Sequence, residues 1–318
     1  MLTRSEDPRV QTVLRQMALD AAAAEASNAL RAAGIQSILL KGPVIADWLY
    51  DEPWQRPYGD IDLLVAPDNH NRAARMLQGL GYRDFTVHEP GHLGHSSIWR
   101  RQKPAPAEID LHWRLHWIRG DLTSWSALSA DVDTLKIGQV GVDTLAPHAR
   151  AMMLALHAAQ HGIGWPKSIR DLERAVARVD EPTWSEAARL SRRLGVDGVL
   201  AVGLRLVPKG IVLADRLALG PSSSVEAHLL SSTPDPTSLG WMRLLEERSL
   251  RSALQLAKGE VLPSPEFVRI WSSIARRGKR GLVGAYLGRP FWLLWHAPAG
   301  IRDLARARRA AAGEEPER

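Results

Sequence analysis

Two short stretches of the chain set carboxylates among apolar residues. In Gly59-Asp60-Ile61-Asp62-Leu63-Leu64-Val65 the intruders are Asp60 and Asp62, and in Ile109-Asp110-Leu111 it is Asp110. Side chains at i and i+2 of a strand point to one face, so Asp60 and Asp62 would be close neighbours. Such a pair repels and resists desolvation. One resolution is a solvated strand end or a pairing with Arg56. The other is a hard divalent cation, since Mg²⁺ takes oxygen ligands, commonly one or two carboxylates, and keeps positions for substrate phosphates. Asp110 weighs toward the cation, because two-metal phosphoryl chemistry needs carboxylates converging from adjacent strands.

A second set of residues suits a phosphate. The apolar run Ile38-Leu39-Leu40 ends in Lys41-Gly42-Pro43. A glycine allows close backbone approach, and a helix starting there presents free N–H groups. Lys41 would add a point charge, whereas Pro43 has no N–H and removes one donor from the cradle. His112 and Arg114 share the face of Asp110 by period two, and Arg56 precedes the Asp-x-Asp segment. These are candidates to touch phosphate or orient a carboxylate, with a polar strand end beside water as the plain alternative.

The elements that must position these groups follow from periodicity. Residues 7–33 carry apolar groups at helical spacing and end at Gly34. A strand is expected over 35–40, a short helix over 43–50, a loop over 51–58 and a buried strand over 60–65. Asp68 is placed to cap a helix reaching Leu80. Segments 82–88, 96–101 and 108–113 alternate as strands of one sheet, and 133–137 with 141–145 form a hairpin. From Pro147 the pattern turns helical, over 149–161, 168–179, 184–194 and 198–206. A Ser/Pro-rich break at 221–236 precedes further helices, and the Arg/Ala-rich tail after Arg302 is expected to fray. The fold class expected is therefore α+β: an α/β domain over 1–146 and a helical domain over 147–318.

Composition limits the remaining classes. The 318 residues are 45% hydrophobic and 24% charged, as in globular proteins. There is no cysteine, which excludes a disulfide framework, thiolate zinc sites and a cysteine nucleophile. No stretch approaches the ~20 apolar residues of a membrane span. Residues 1–15 lack an apolar segment, so no signal peptide is expected and the chain is assigned to the cytoplasm. The net charge of +6 permits a nucleic-acid partner but equally follows from Arg-rich composition.

Taken together, "LLKGPVIADWLY", "RPYGDIDLLV" and "IDLHWRL" resemble the DNA polymerase β-type nucleotidyltransferase superfamily. Within it they resemble the uncharacterised bacterial nucleotidyltransferase (NTP_transf_5) family, over about residues 35–171. The resemblance implies a mixed sheet with flanking helices followed by a helical domain. It also implies Mg²⁺ (or Mn²⁺) held by Asp60, Asp62 and Asp110, with Gly42 as the phosphate-turn glycine. The implied reaction transfers a nucleoside monophosphate from an NTP to an acceptor, with pyrophosphate leaving. The acceptor, whether small molecule, peptide, protein or RNA, is not encoded in any readable feature. Lys41, Gly42, Arg56, His112 and Arg114 are the expected nucleotide-side residues. Two other classes stay open: a catalytically silent nucleotide-binding partner protein, and a basic nucleic-acid-binding regulator.

His157 and His161 stand at i, i+4 of one helix with Asp171 on the next. A zinc site is disfavoured because no H-E-x-x-H glutamate or third ligand is evident. The resemblance, which extends to two His and an Asp here, implies a polar helix–helix junction near the nucleotide or acceptor instead. Of the 12 Trp, Trp48, Trp54, Trp113 and Trp117 lie near the carboxylates in sequence. Each is read as core before it is read as a stacking platform. "RPFWLLWHAPAGI" is read by default as packing within the helical domain, with an amphipathic partner or membrane contact as the alternative.

Overall fold

The computed structural model describes residues 7–87, 94–247 and 249–313. Helix α1 (Pro8–Ala32) begins at Asp7, whose side chain accepts from the Arg9 amide, and has Pro at its first turn. Gly34 follows at φ +69°, a left-handed conformation that only glycine adopts freely. The chain then enters β1 (Ser37–Leu39), α2 (Pro43–Leu49), β2 (Ile61–Val65) and α3 (His70–Gly79). Next come β3 (Arg83–Asp84), β4 (Ser96–Arg101), β5 (Ala107–His112), α4 (Leu122–Ser129), β6 (Val132–Ile137) and β7 (Val140–Leu145).

The seven strands form one mixed sheet in the order β3-β4-β5-β2-β1-β7-β6. Strand β2 lies antiparallel to β1 and parallel to β5, with Asp62 opposite Asp110 and Leu64 opposite His112. The central strands are apolar on both faces: every residue of β1 and β2 is buried. That is the signature of strands covered by helices on each side.

The helical half runs α5 (Pro147–His161), α6 (Pro166–Arg178), α7 (Glu181–Leu194), α8 (Asp197–Leu204) and α9 (Pro208–Arg216). It continues with α10 (Val225–Ser231), α11 (Ser238–Glu246), α12 (Leu250–Val261), α13 (Pro265–Trp271) and α14 (Lys279–Ala311). One continuous core joins the sheet to the first of these helices, from Leu19 through Ile61 and Leu111 to Met152, Leu200 and Ala227. Two smaller clusters lie beyond it, Leu229 with Met242, Leu304 and Ala307, and Val268 with Ala275 and Ala285.

The α+β reading holds, with local corrections. The strand expected over 82–88 contracts to Arg83–Asp84, and His88 lies outside the described residues. Asp68 falls in a 3₁₀ turn, and α3 starts after Asn69 with no side-chain cap. Helix α4, capped by Asp121 on the Ser124 amide, has no counterpart in the periodicity reading. The tail after Arg302 is helical to Ala311, because Leu304 and Ala307, at i and i+3, are buried against α10 and α11.

The tightest helix contact is at Gly203 of α8, where a Cβ would stand 2.0 Å from the Ala155 carbonyl oxygen of α5. Neither backbone can yield without separating the helices. Gly203→Ala should therefore destabilise the protein by about 1–3 kcal/mol, the usual range for overpacking, measured by urea unfolding. Wild-type stability in that variant would show that the two helices are not held at this distance.

Candidate functional site

Strand β1 ends, β2 begins and β5 ends beside one cavity of about 410 Å³, and α5 and α6 close its other side. Lys41, Gly42, Arg56, Asp60, Asp62, Asp110 and His112 all line it. Seven of the eight sequence-predicted residues thus converge, although they come from two strands and two loops. The eighth, Arg114, does not line the cavity. Strand β5 ends at His112, the Trp113 amide bonds to the His95 carbonyl, and Arg114 turns to the His116 carbonyl at 3.1 Å. Its period-two relation to Asp110 ends where the strand ends.

The carboxylates are not equivalent. Asp62 is 4% exposed, Asp110 half-buried, and Asp60, which lies just before β2, exposed at the rim. Asp62 Oδ1 receives Lys41 Nζ at 2.8 Å and His112 Nε2 at 3.1 Å. His112 Nε2 also lies 3.3 Å from Asp110 Oδ2, so one imidazole bridges the two strands. Against burial, which would raise it, Lys41 and His112 hold the Asp62 carboxyl well below the usual range. Burial alone would lower the imidazolium of His112, but Asp110 and Asp62 outweigh it and push it up to about 9. Burial would likewise depress Lys41, yet Asp62 keeps its ammonium raised. Four groups of alternating sign therefore neutralise one another in the protein alone.

This set also fits a cation. One ligand atom each from Asp62, Asp110 and His112 lie within 4.8 Å of one another. Asp110 Oδ1 is buried without a hydrogen-bond partner among the described residues, and a buried unpartnered carboxylate oxygen is costly unless something positive meets it.

Gly42 has φ +66° and caps the seven-residue α2, with Pro43 at its first position. The turn is braced from behind. Arg56, 4% exposed, donates Nε and Nη2 to both oxygens of Asp171 on α6, at 2.7–3.0 Å, and Nη1 to the Gly42 carbonyl at 3.3 Å. The Tyr50 hydroxyl donates to Asp171 at 2.8 Å. Arg56 is thus a structural clamp that also borders the cavity, and Asp171 is its counter-ion. With Asp171 committed, no zinc set forms with His157 and His161, whose rings lie 4.4 Å apart in the cavity wall. Burial and the charge of Lys41 lower both imidazoles, His161 to about 4, which leaves them neutral near pH 7.

Several lining residues carried no local sequence signal: His95, Ser96, His116, Trp165 and Lys167. Lys167 follows the "HGIGWP" turn between α5 and α6, and burial and Arg56 lower its ammonium. Of the four Trp near the carboxylates in sequence, only Trp117 lines the cavity, with its indole N–H on the Leu156 carbonyl. Trp48 lies under Arg150, Trp54 under Arg9, and Trp113 against His70.

A family model described as an uncharacterised nucleotidyltransferase (NTP_transf_5) matches residues 6–209. An antigenic nucleotidyltransferase-like protein from Paracoccidioides brasiliensis is similar at 17% identity and TM-score 0.41, over 64% of this chain and 93% of that one. The antibiotic-resistance factor ANT(2'')-Ia is similar at 15% identity and TM-score 0.40, over 57% and 93%. The nucleotidyltransferase toxin MenT4 from Mycobacterium tuberculosis is similar at 15% identity and TM-score 0.38, over 88% and 98%. No curated protein matches the chain. The family match and the strand order carry the fold assignment; the structural likenesses add nothing to it.

Two outcomes follow from the geometry. Asp171→Ala leaves the Arg56 guanidinium buried and unpaired, and should cost about 3–5 kcal/mol; a loss below about 1 kcal/mol in chemical denaturation would mean that water replaces the pair. His112 titrates higher in the folded chain than the ~6.5 of an unfolded histidine. Its stabilisation is thus complete below about pH 6.5 and lost as pH rises toward 9. With chelator present, the protein should lose on the order of 3 kcal/mol across that window, and His112→Gln should flatten the slope. An unchanged slope in the variant would assign the titration to another group.

Proposed function

The chain belongs to the uncharacterised nucleotidyltransferase family, an enzyme class, and from that premise we propose metal-dependent transfer of a nucleoside monophosphate from an NTP to an acceptor. The observation that carries this reading is the direct pairing of Asp62 with Asp110 on parallel strands whose carboxylates both line the cavity. A divalent cation, when bound, supplies Lewis-acid charge at the phosphate oxygens. Asp62 and Asp110 would hold it, with Asp60 at the rim as a further oxygen donor.

The other roles follow from where the groups stand. Asp110, half-buried in the cavity lining, would orient the attacking group of the acceptor. Gly42, locked in its left-handed conformation and tied by Arg56, would let the triphosphate approach the backbone. Lys41 and Lys167 are the lining ammonium groups that could meet phosphate charge. His157 and His161, being neutral, offer hydrogen bonds without adding charge. The helices α5 and α6 wall the cavity from water on the side away from the strands, which strengthens each of these interactions.

A second reading has one specific observation behind it. The Lys41–Asp62 ion pair and the His112 bridge already neutralise the carboxylates, as a protein that binds nucleotide without metal-dependent transfer would require. For transfer, Lys41 and His112 must yield part of Asp62 to the cation.

Labelled NTP, Mg²⁺ and a panel of acceptors separate the two. Wild type should release pyrophosphate, and chelator should abolish it. Asp62→Asn should remove the metal-dependent part of NTP affinity. Asp110→Asn should leave NTP binding within about a few-fold yet reduce transfer at least ~10²-fold, as expected for a group acting mainly in the transition state. Equal NTP affinity with and without chelator would sink the metal assignment, and equal transfer by Asp110→Asn would remove Asp110 from the reaction.

A further inference from the structure

Helix α14 lies beyond the stretch matched by the family, and its two faces differ in a way the proposed reaction does not use. The inward face carries Ala285, Arg289, Gly300, Leu304 and Ala307, all buried. Arg289 sits among the rings of Phe267, Trp271 and Trp292 and pairs with Glu260 at 3.5 Å. The His296 imidazole meets Asp235 at 2.7 Å. That face is fully engaged. The other face carries Val283, Leu287, Phe291, Leu294 and Trp295 at three- and four-residue steps, and Ile301 two turns beyond Leu294 on the same side of the helix. Leu287, Phe291, Leu294 and Trp295 are 69, 75, 72 and 83% exposed. Single exposed apolar residues are ordinary, but six along one side of a helix, two of them large aromatics, mark an interaction surface.

Charge tells which surface fits. Before the stripe stand Arg276, Arg277, Lys279 and Arg280, all exposed, and after it stand Arg302, Arg306, Arg308 and Arg309, also exposed. Asp303 is the single acidic residue of the helix, and it already accepts from the Asp235 amide. The stripe is therefore bracketed by cations at both ends. A second copy of this helix is a poor occupant, because parallel pairing sets each cluster on itself and antiparallel pairing sets one on the other. Like charges meet in both cases. The complement is a surface that is apolar beneath and anionic above.

We propose that α14 is an interfacial anchor that lays its Val283–Ile301 stripe into the headgroup boundary of an anionic lipid membrane, with the two cationic clusters on the lipid phosphates. Leu, Phe and Trp on one face with Lys and Arg at its margins are the elements of such a helix. It lies on the membrane and does not cross it: among the described residues no helix is long and apolar enough to span.

The test uses the full chain with vesicles of phosphatidylglycerol in phosphatidylcholine, against phosphatidylcholine alone. The protein should co-sediment with the anionic vesicles only and be released by high salt. Replacing Arg276, Arg277, Lys279 and Arg280 together with Gln should weaken partitioning on the order of 10²–10³-fold. Phe291→Ser with Trp295→Ser should weaken it on the order of 10²-fold. The chain has no cysteine, so Leu287→Cys carries one fluorophore. Its emission should shift to the blue and resist an aqueous quencher when anionic vesicles are added, while the same label at Lys136→Cys on β6 should not respond. This arm reports on insertion even if a stripe variant fails to fold. Equal partitioning into neutral and anionic vesicles, an unresponsive label at 287, or self-association or polynucleotide binding without vesicle binding would each overturn the proposal.

Discussion

The structure is organised around two carboxylates that face each other from parallel strands. Asp62 and Asp110 stand in register on β2 and β5, in the middle of a sheet whose neighbouring positions are apolar. Left alone they would repel across a low-dielectric gap. The chain offsets this with Lys41 from the end of β1 and with His112, one strand position beyond Asp110 on the same face. The position of the Lys41-Gly42 turn, the length of β5 and the approach of α5 over the cavity are all consequences of keeping that charge balance buried but reachable.

A second buried ion pair links this arrangement to the helical half. Arg56 reaches forward to the Gly42 carbonyl and back to Asp171, so the turn beside the carboxylates and helix α6 are held by one guanidinium. The planar fork of arginine suits this, because it can serve a carboxylate with two donors and a carbonyl with the third. Lys167 in the cavity wall is placed by the same connection, since it lies on α6, which cannot move without disturbing the turn.

Much of this was legible in the sequence, for local reasons. Carboxylates inside apolar runs announce themselves, as do a strand ending in Lys-Gly-Pro and a hairpin split by Gly138. The failures are equally physical. Asp60 was read into β2 but lies just before it at the rim, because period two does not say where a strand begins. Arg114 was read onto the face of Asp110, but the backbone turns after His112. Arg56 is expected as a phosphate or carboxylate partner; its carboxylate is Asp171, 115 residues away, which nothing near it in sequence identifies. The tail after Arg302 looked too simple to order, yet two buried positions, Leu304 and Ala307, suffice to dock a helical turn. His95, Ser96, His116 and Lys167 reach the cavity through tertiary folding alone.

The register of β2 on β5 also fixes when the site comes into being. Its halves lie 50 residues apart at Asp62 and His112, with α3, β3 and β4 between them. The brace from Arg56 closes only after Asp171 has been made. A chain emerging from the ribosome therefore displays Lys41 and Asp62 for some time with no opposing strand, and closing so long a loop is among the slower steps of folding. Until it closes, Asp62 has neither Asp110 nor His112 beside it. The paired-carboxylate cavity is thus a product of completed topology, and fragments ending before β5 lack Asp110 and His112.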